Sequence, residues 1–60
     1  MRKWIKVLDK LPPENLVVET KLHDEKGVRN VQKLIRIKNL WFLPFAGVYA
    51  YYTPTHWREI

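Results

Sequence analysis

No cysteine occurs anywhere in these 60 residues, so neither a disulfide nor a thiolate-held metal can brace the chain. A chain this short removes only about 60% of its unfolded surface from water, and scaffolds of this size usually need a staple or a partner. Stability must therefore come from apolar side chains, and here the supply is aromatic: Trp4, Trp41, Trp57, Phe42, Phe45, Tyr49, Tyr51 and Tyr52. Buried rings carry large apolar area. The expectation is one domain over 1–60, stabilised by aromatics, by self-association, or by both.

Punctuation is frequent. Pro12-Pro13, Gly27, Lys38-Asn39, Pro44, Gly47 and Pro54 leave short intervals that suit strands better than helices. In "NLVVETKLH" (15–23), Leu16, Val18, Thr20 and Leu22 alternate with Val17, Glu19, Lys21 and His23, the period of a half-buried strand. "DEKG" follows, with Gly27 suited to the positive φ of a hairpin loop. Residues 28–38 read two ways. As a strand they align Val31, Ile35 and Ile37, with Lys33 a misfit among them. As a short helix they align Val28, Val31, Leu34 and Ile35, with Ile37 opposite. The β-branched residues and the preceding hairpin signal favour the strand. "LWFL" (40–43) and "VYAYYT" (48–53) read as short aromatic strands around a "PFAG" turn, and Trp4–Val7 and His56–Arg58 as brief terminal strands. The predicted class is mainly β: a small single-domain antiparallel meander of about three to five short strands.

The net charge of +5 is uneven, with six basic and five acidic side chains in 1–27 against five and one in 28–60. A basic surface favours anionic partners. Arg29, Lys33, Arg36 and Lys38 are the candidate contacts to an anion or nucleic acid, with Trp41, Tyr49 or Tyr51 available to stack on bases. The competing reading is a solvated edge strand whose cations block aggregation. Alternation weakens the nucleic-acid reading, since it splits Arg29 and Lys33 from Arg36 and Lys38. No apolar run approaches the ~20 residues that span a bilayer, and Trp4–Val7 is too short for a signal peptide's apolar core. A cytoplasmic protein without membrane contact is expected.

Catalysis has little to work with. His23 and His56 are far apart in sequence and lack a metal-ligand spacing, and no nucleophile turn, paired-acid motif or phosphate loop occurs. Strand neighbours point to opposite faces, so Thr55 is not expected to pair with His56. No catalytic residue, metal or cofactor is predicted. His56 is expected to serve the fold, its imidazole bonded to backbone or to an acid such as Asp9.

The aromatic tract points to an interface. A thin single sheet cannot bury both of its faces, and tyrosine and tryptophan are enriched where proteins meet. Trp41, Phe45, Tyr49 and Tyr51 are the candidate interface residues, covered by another protein or by a second copy in a homodimer.

"WIKVLDKLPPEN" near the start and "THW" near the end resemble the two signature ends of a family of short phage and prophage proteins, "domain of unknown function 551". The matching positions are Trp4, Ile5, Val7, Asp9, Leu11, Pro12, Thr55, His56 and Trp57, and Trp41 fits a looser central pattern. After Trp57 the sequence departs, with Arg58-Glu59-Ile60 in place of the family's Pro-rich tail. The resemblance implies a phage or prophage context and no established activity. It suits an accessory protein that binds a host or defence protein. Two motifs at opposite ends are most simply explained by pairing of the termini, with Trp4, Pro12, His56 and Trp57 structural and Trp57 packed near Trp4.

Overall fold

The computed structural model describes residues 3–60. They form one five-stranded antiparallel sheet of β1 (Ile5–Lys6), β2 (Val17–Asp24), β3 (Gly27–Ile37), β4 (Leu40–Phe42) and β5 (His56–Arg58). The order across the sheet is β1-β5-β2-β3-β4. The fold is therefore all-β, and residues 28–37 are strand rather than helix, with Lys38 in the turn that follows. β2, β3 and β4 follow one another as a meander, while β5 returns to lie between β1 and β2. The expected pairing of the termini is the β1–β5 ladder, with Ile5 opposite Trp57 and Lys6 opposite His56.

Turn chemistry sets the strand boundaries. Asp24 pairs with Gly27 across a two-residue turn, its Oδ1 accepts the Lys26 N–H at 2.8 Å, and Gly27 holds φ 104°. Asn30 sits at φ 54° where the β2–β3 register slips, so Thr20 faces Gln32 but Leu22 faces Arg29. This is a β-bulge, and asparagine tolerates the left-handed conformation it needs. The tract 48–53, expected as a strand, forms only one rung: Tyr49 bridges Phe42, flanked by Leu43 N to Val48 O and Ala50 N to Trp41 O. Its lead-in is a loop tip with Phe45 at φ 65° and Gly47 at φ 69°, and the chain bends again at Tyr51 and Tyr52, where the ladder stops.

Among the described residues, one face of the sheet is covered and the other is open. On the covered face Val18, Leu34, Trp41 and Trp57 form the buried core, joined by the fully buried Thr20. Two loops supply the cover. From the first comes the buried Pro12; from the second come buried Pro54 together with Leu43, Ala50 and Tyr52. Polar side chains on the covered face clamp these loops. Arg36 Nε donates to Pro12 O at 3.0 Å, Trp57 Nε1 to Lys10 O at 2.7 Å, and Gln32 Nε2 to the Tyr52 hydroxyl. Thr20 Oγ1 donates to Gln32 O at 2.8 Å, which satisfies the buried hydroxyl.

Two expectations change here. Trp4 does not pack on Trp57: the register puts Ile5 opposite Trp57, so Trp4 falls on the open face. Trp41 is 4% exposed and belongs to the core, so it offers no interface surface. Pro12 and Trp57 are both buried on the covered face.

Candidate protein-binding face

The open face takes its character from β3. That strand turns Val28, Val31, Lys33, Ile35 and Ile37 outward and Arg29, Gln32, Leu34 and Arg36 toward the loops. The outward set is the more apolar one, which inverts the usual arrangement for a sheet with one solvated face. Val31 is 54% exposed and Leu40, next along on β4, is 48% exposed. Phe42 lies beside Ile35, and Tyr49 lies beside Phe42 with its ring edge-on at 6.2 Å. An apolar strip thus runs from Val31 through Ile37 and Leu40 to Tyr49.

The other half of the same face is basic. Trp4 carries Lys21 Nζ 4.5 Å from its ring centroid and Arg58 Cζ at 4.2 Å, both at cation–π range. Arg58 Nε also binds Glu19 Oε1 at 2.5 Å. Lys6 and Lys21 flank His56 on adjacent strands, and the His23 and His56 rings approach to 5.8 Å. Partial burial, then the charges of Lys21, His23 and Lys6, hold the His56 pKa below its ordinary 6.5.

The histidines, distant in sequence, are therefore neighbours in space. Among the described residues, however, no group of three or more His, Cys, Asp or Glu side chains could hold a metal ion. Thr55 and His56 also meet, against expectation, with Oγ1 and Nδ1 2.8 Å apart. Strand alternation does not apply to Thr55 because β5 begins only at His56. The hydroxyl is taken up by the fold: it accepts the His23 N–H at 2.8 Å and lies 3.3 Å from Lys21 O. Among the described residues, the His56 ring thus meets Thr55 rather than backbone or Asp9.

The predicted basic run is dispersed. The bulge at Asn30 moves Arg29 onto the Arg36 side and leaves Lys33 on the open face, so the expected split is redrawn. Arg29 pairs with Asp24 at 2.6 Å, Arg36 clamps Pro12, and Lys38 sits exposed in the β3–β4 turn at φ 56°. Only Lys33 joins the open face. Of the predicted interface residues, Tyr49 extends the apolar strip, while Phe45 and Tyr51, 102% and 91% exposed, project from the covering loop. Sequence reasoning missed Lys6, Lys21 and Arg58, whose clustering depends on β5 lying between β1 and β2.

Among the described residues no helix is long and apolar enough to cross a membrane. No family model, no curated protein and no solved structure matches the chain.

Proposed function

We propose that the chain is a small non-enzymatic binding protein whose open sheet face docks on another protein. The carrying observation is the inversion on β3, which exposes Val28, Val31 and Ile37 while placing Gln32 and Arg36 under the loops. Exposed apolar patches of more than a few hundred Å² normally mark contact sites. The basic half beside the strip, with Lys6, Lys21 and Arg58, steers the face onto an acidic surface. The resemblance of the end motifs suits a phage or prophage accessory protein, acting in the host cytoplasm and occluding a host or defence protein.

A nucleic-acid reading is less well supported. Single-strand binders present free aromatic faces beside cations. Here Trp4 already carries Lys21 and Arg58, and half of the face is apolar. With no partner present, the strip pairs with its copy in a two-fold dimer.

The test is affinity capture of the tagged protein from the cells it acts in, after nuclease treatment, with wild type, Val31→Asp and Tyr51→Ser. A nuclease-resistant partner lost with Val31→Asp and kept with Tyr51→Ser is expected. A partner released by nuclease, or indifferent to Val31→Asp, overturns the reading.

A further inference from the structure

Lys6, His56 and Lys21 stand level on three adjacent strands, β1, β5 and β2, each in register with the next. His23 adds its ring at 5.8 Å. Glu19, on the same face of β2, is engaged by Arg58, and the charges that act on His56 come from Lys21, His23 and Lys6, all basic groups. Such a cluster has spare capacity for an oxyanion. A groove opens beside it, lined by Val7, Leu8, Thr53 and Pro54 and shared with Lys6 and His56. Leu8 stands 97% exposed in its wall. Cations next to an apolar groove suit a ligand that carries an apolar side chain beside a carboxylate. A phosphate backbone would satisfy the cations and leave the groove unused.

Resting on the protein-binding reading above, we propose that this junction holds an acidic peptide segment of the partner. An apolar side chain enters the groove, and a neighbouring carboxylate lies against Lys6, Lys21 and His56. Docking a carboxylate favours the protonated imidazole, so binding strengthens as pH falls toward 5.5, where an aspartate is still ionised. Burial, then Lys21 and His23 on β2 and Lys6 on β1, oppose protonation in the free protein; Arg58 on β5 and Glu19 on β2 engage each other on the same face.

The experiment is fluorescence anisotropy with a labelled decapeptide alternating leucine and aspartate, at pH 5.5 and 7.5. A serine–aspartate peptide, a leucine–asparagine peptide and a ten-residue oligothymidylate serve as comparisons. The leucine–aspartate peptide should bind best and roughly three- to tenfold tighter at the lower pH. His56→Gln should reduce that pH dependence, and His23→Gln with His56→Gln should abolish it. Lys6→Gln, at an exposed position that leaves folding intact, should weaken binding about two- to fivefold, the range of an exposed ion pair. Equal binding of the serine–aspartate peptide, tighter binding of the oligothymidylate, or no effect of Lys6→Gln overturns the proposal. Failure of the peptide with Val31-dependent capture intact removes this site alone. Capture that ignores Val31→Asp removes the open-face reading itself.

Discussion

Trp4 and Trp57, the rings of the two end motifs, lie on opposite faces of the sheet. Trp57 is 3% exposed in the core and donates to Lys10 O, while Trp4 lies under Lys21 and Arg58 on the open side. Trp57→Ala should therefore cost about 3–5 kcal/mol, as large buried aromatics do. Trp4→Ala should cost about 1 kcal/mol, the scale of exposed cation–π contacts. Urea denaturation of both variants measures the difference. Equal losses would place both rings in one core.

Arg36 holds a covering loop. Its side chain is 14% exposed, its Nε donates to Pro12 O and its Nη1 to Lys38 O at 2.8 Å. Arg36→Met keeps the volume and removes the donors. It should cost about 1.5–3 kcal/mol, the range for hydrogen bonds to charged groups. Hydrogen exchange should show the loss at Asn15, whose N–H donates to Arg36 O. A stable variant with weakened anion binding would return Arg36 to the surface.

His56 makes stability depend on pH. Its folded pKa lies below 6.5 because of burial and the charges of Lys21, His23 and Lys6. The unfolded chain therefore binds the proton more readily, and stability rises with pH wherever that is so. This contribution is fully present above 6.5 and is lost as pH falls from 6.5 through the folded value. Melting temperatures at pH 5, 6 and 7 should rise in that order, with a shallower slope in His56→Gln. An unchanged slope in the variant would assign the effect elsewhere.

Self-association should follow the apolar strip. Sedimentation at micromolar concentration should show a species heavier than 7.3 kDa that Val31→Asp returns to monomer. Tyr51→Ser, on the loop rather than the strip, should leave it in place. Monomeric wild type would leave the strip to another protein.

Much of the fold was legible because local signals agreed. The alternation of Val17 to His23 and the Asp24–Gly27 turn specify the β2–β3 hairpin, and the end motifs specify the β1–β5 pairing. What was not legible was which face is buried. Residues 28–38 carry apolar side chains at both parities, so Lys33 read as a misfit; on an open face it is an ordinary solvated residue. The choice was made by the loops, whose clamps Arg36 and Gln32 require polar residues beneath them. The bulge at Asn30 reversed the parity of Arg29, and the loop tip at Phe45 turned the chain ahead of the expected strand at 48–53. Both depend on left-handed conformations at non-glycine residues, which composition does not announce.

Site-specific photocrosslinking in cells tests the open-face claim most directly. A photoreactive residue is placed in turn at Val31 on the strip, Tyr51 on the loop, and Arg29 beside Asp24. The account predicts a discrete protein adduct from position 31, with little or none from 51 and 29. Adducts from position 51 without any from 31, or nucleic-acid adducts from 31, would contradict it.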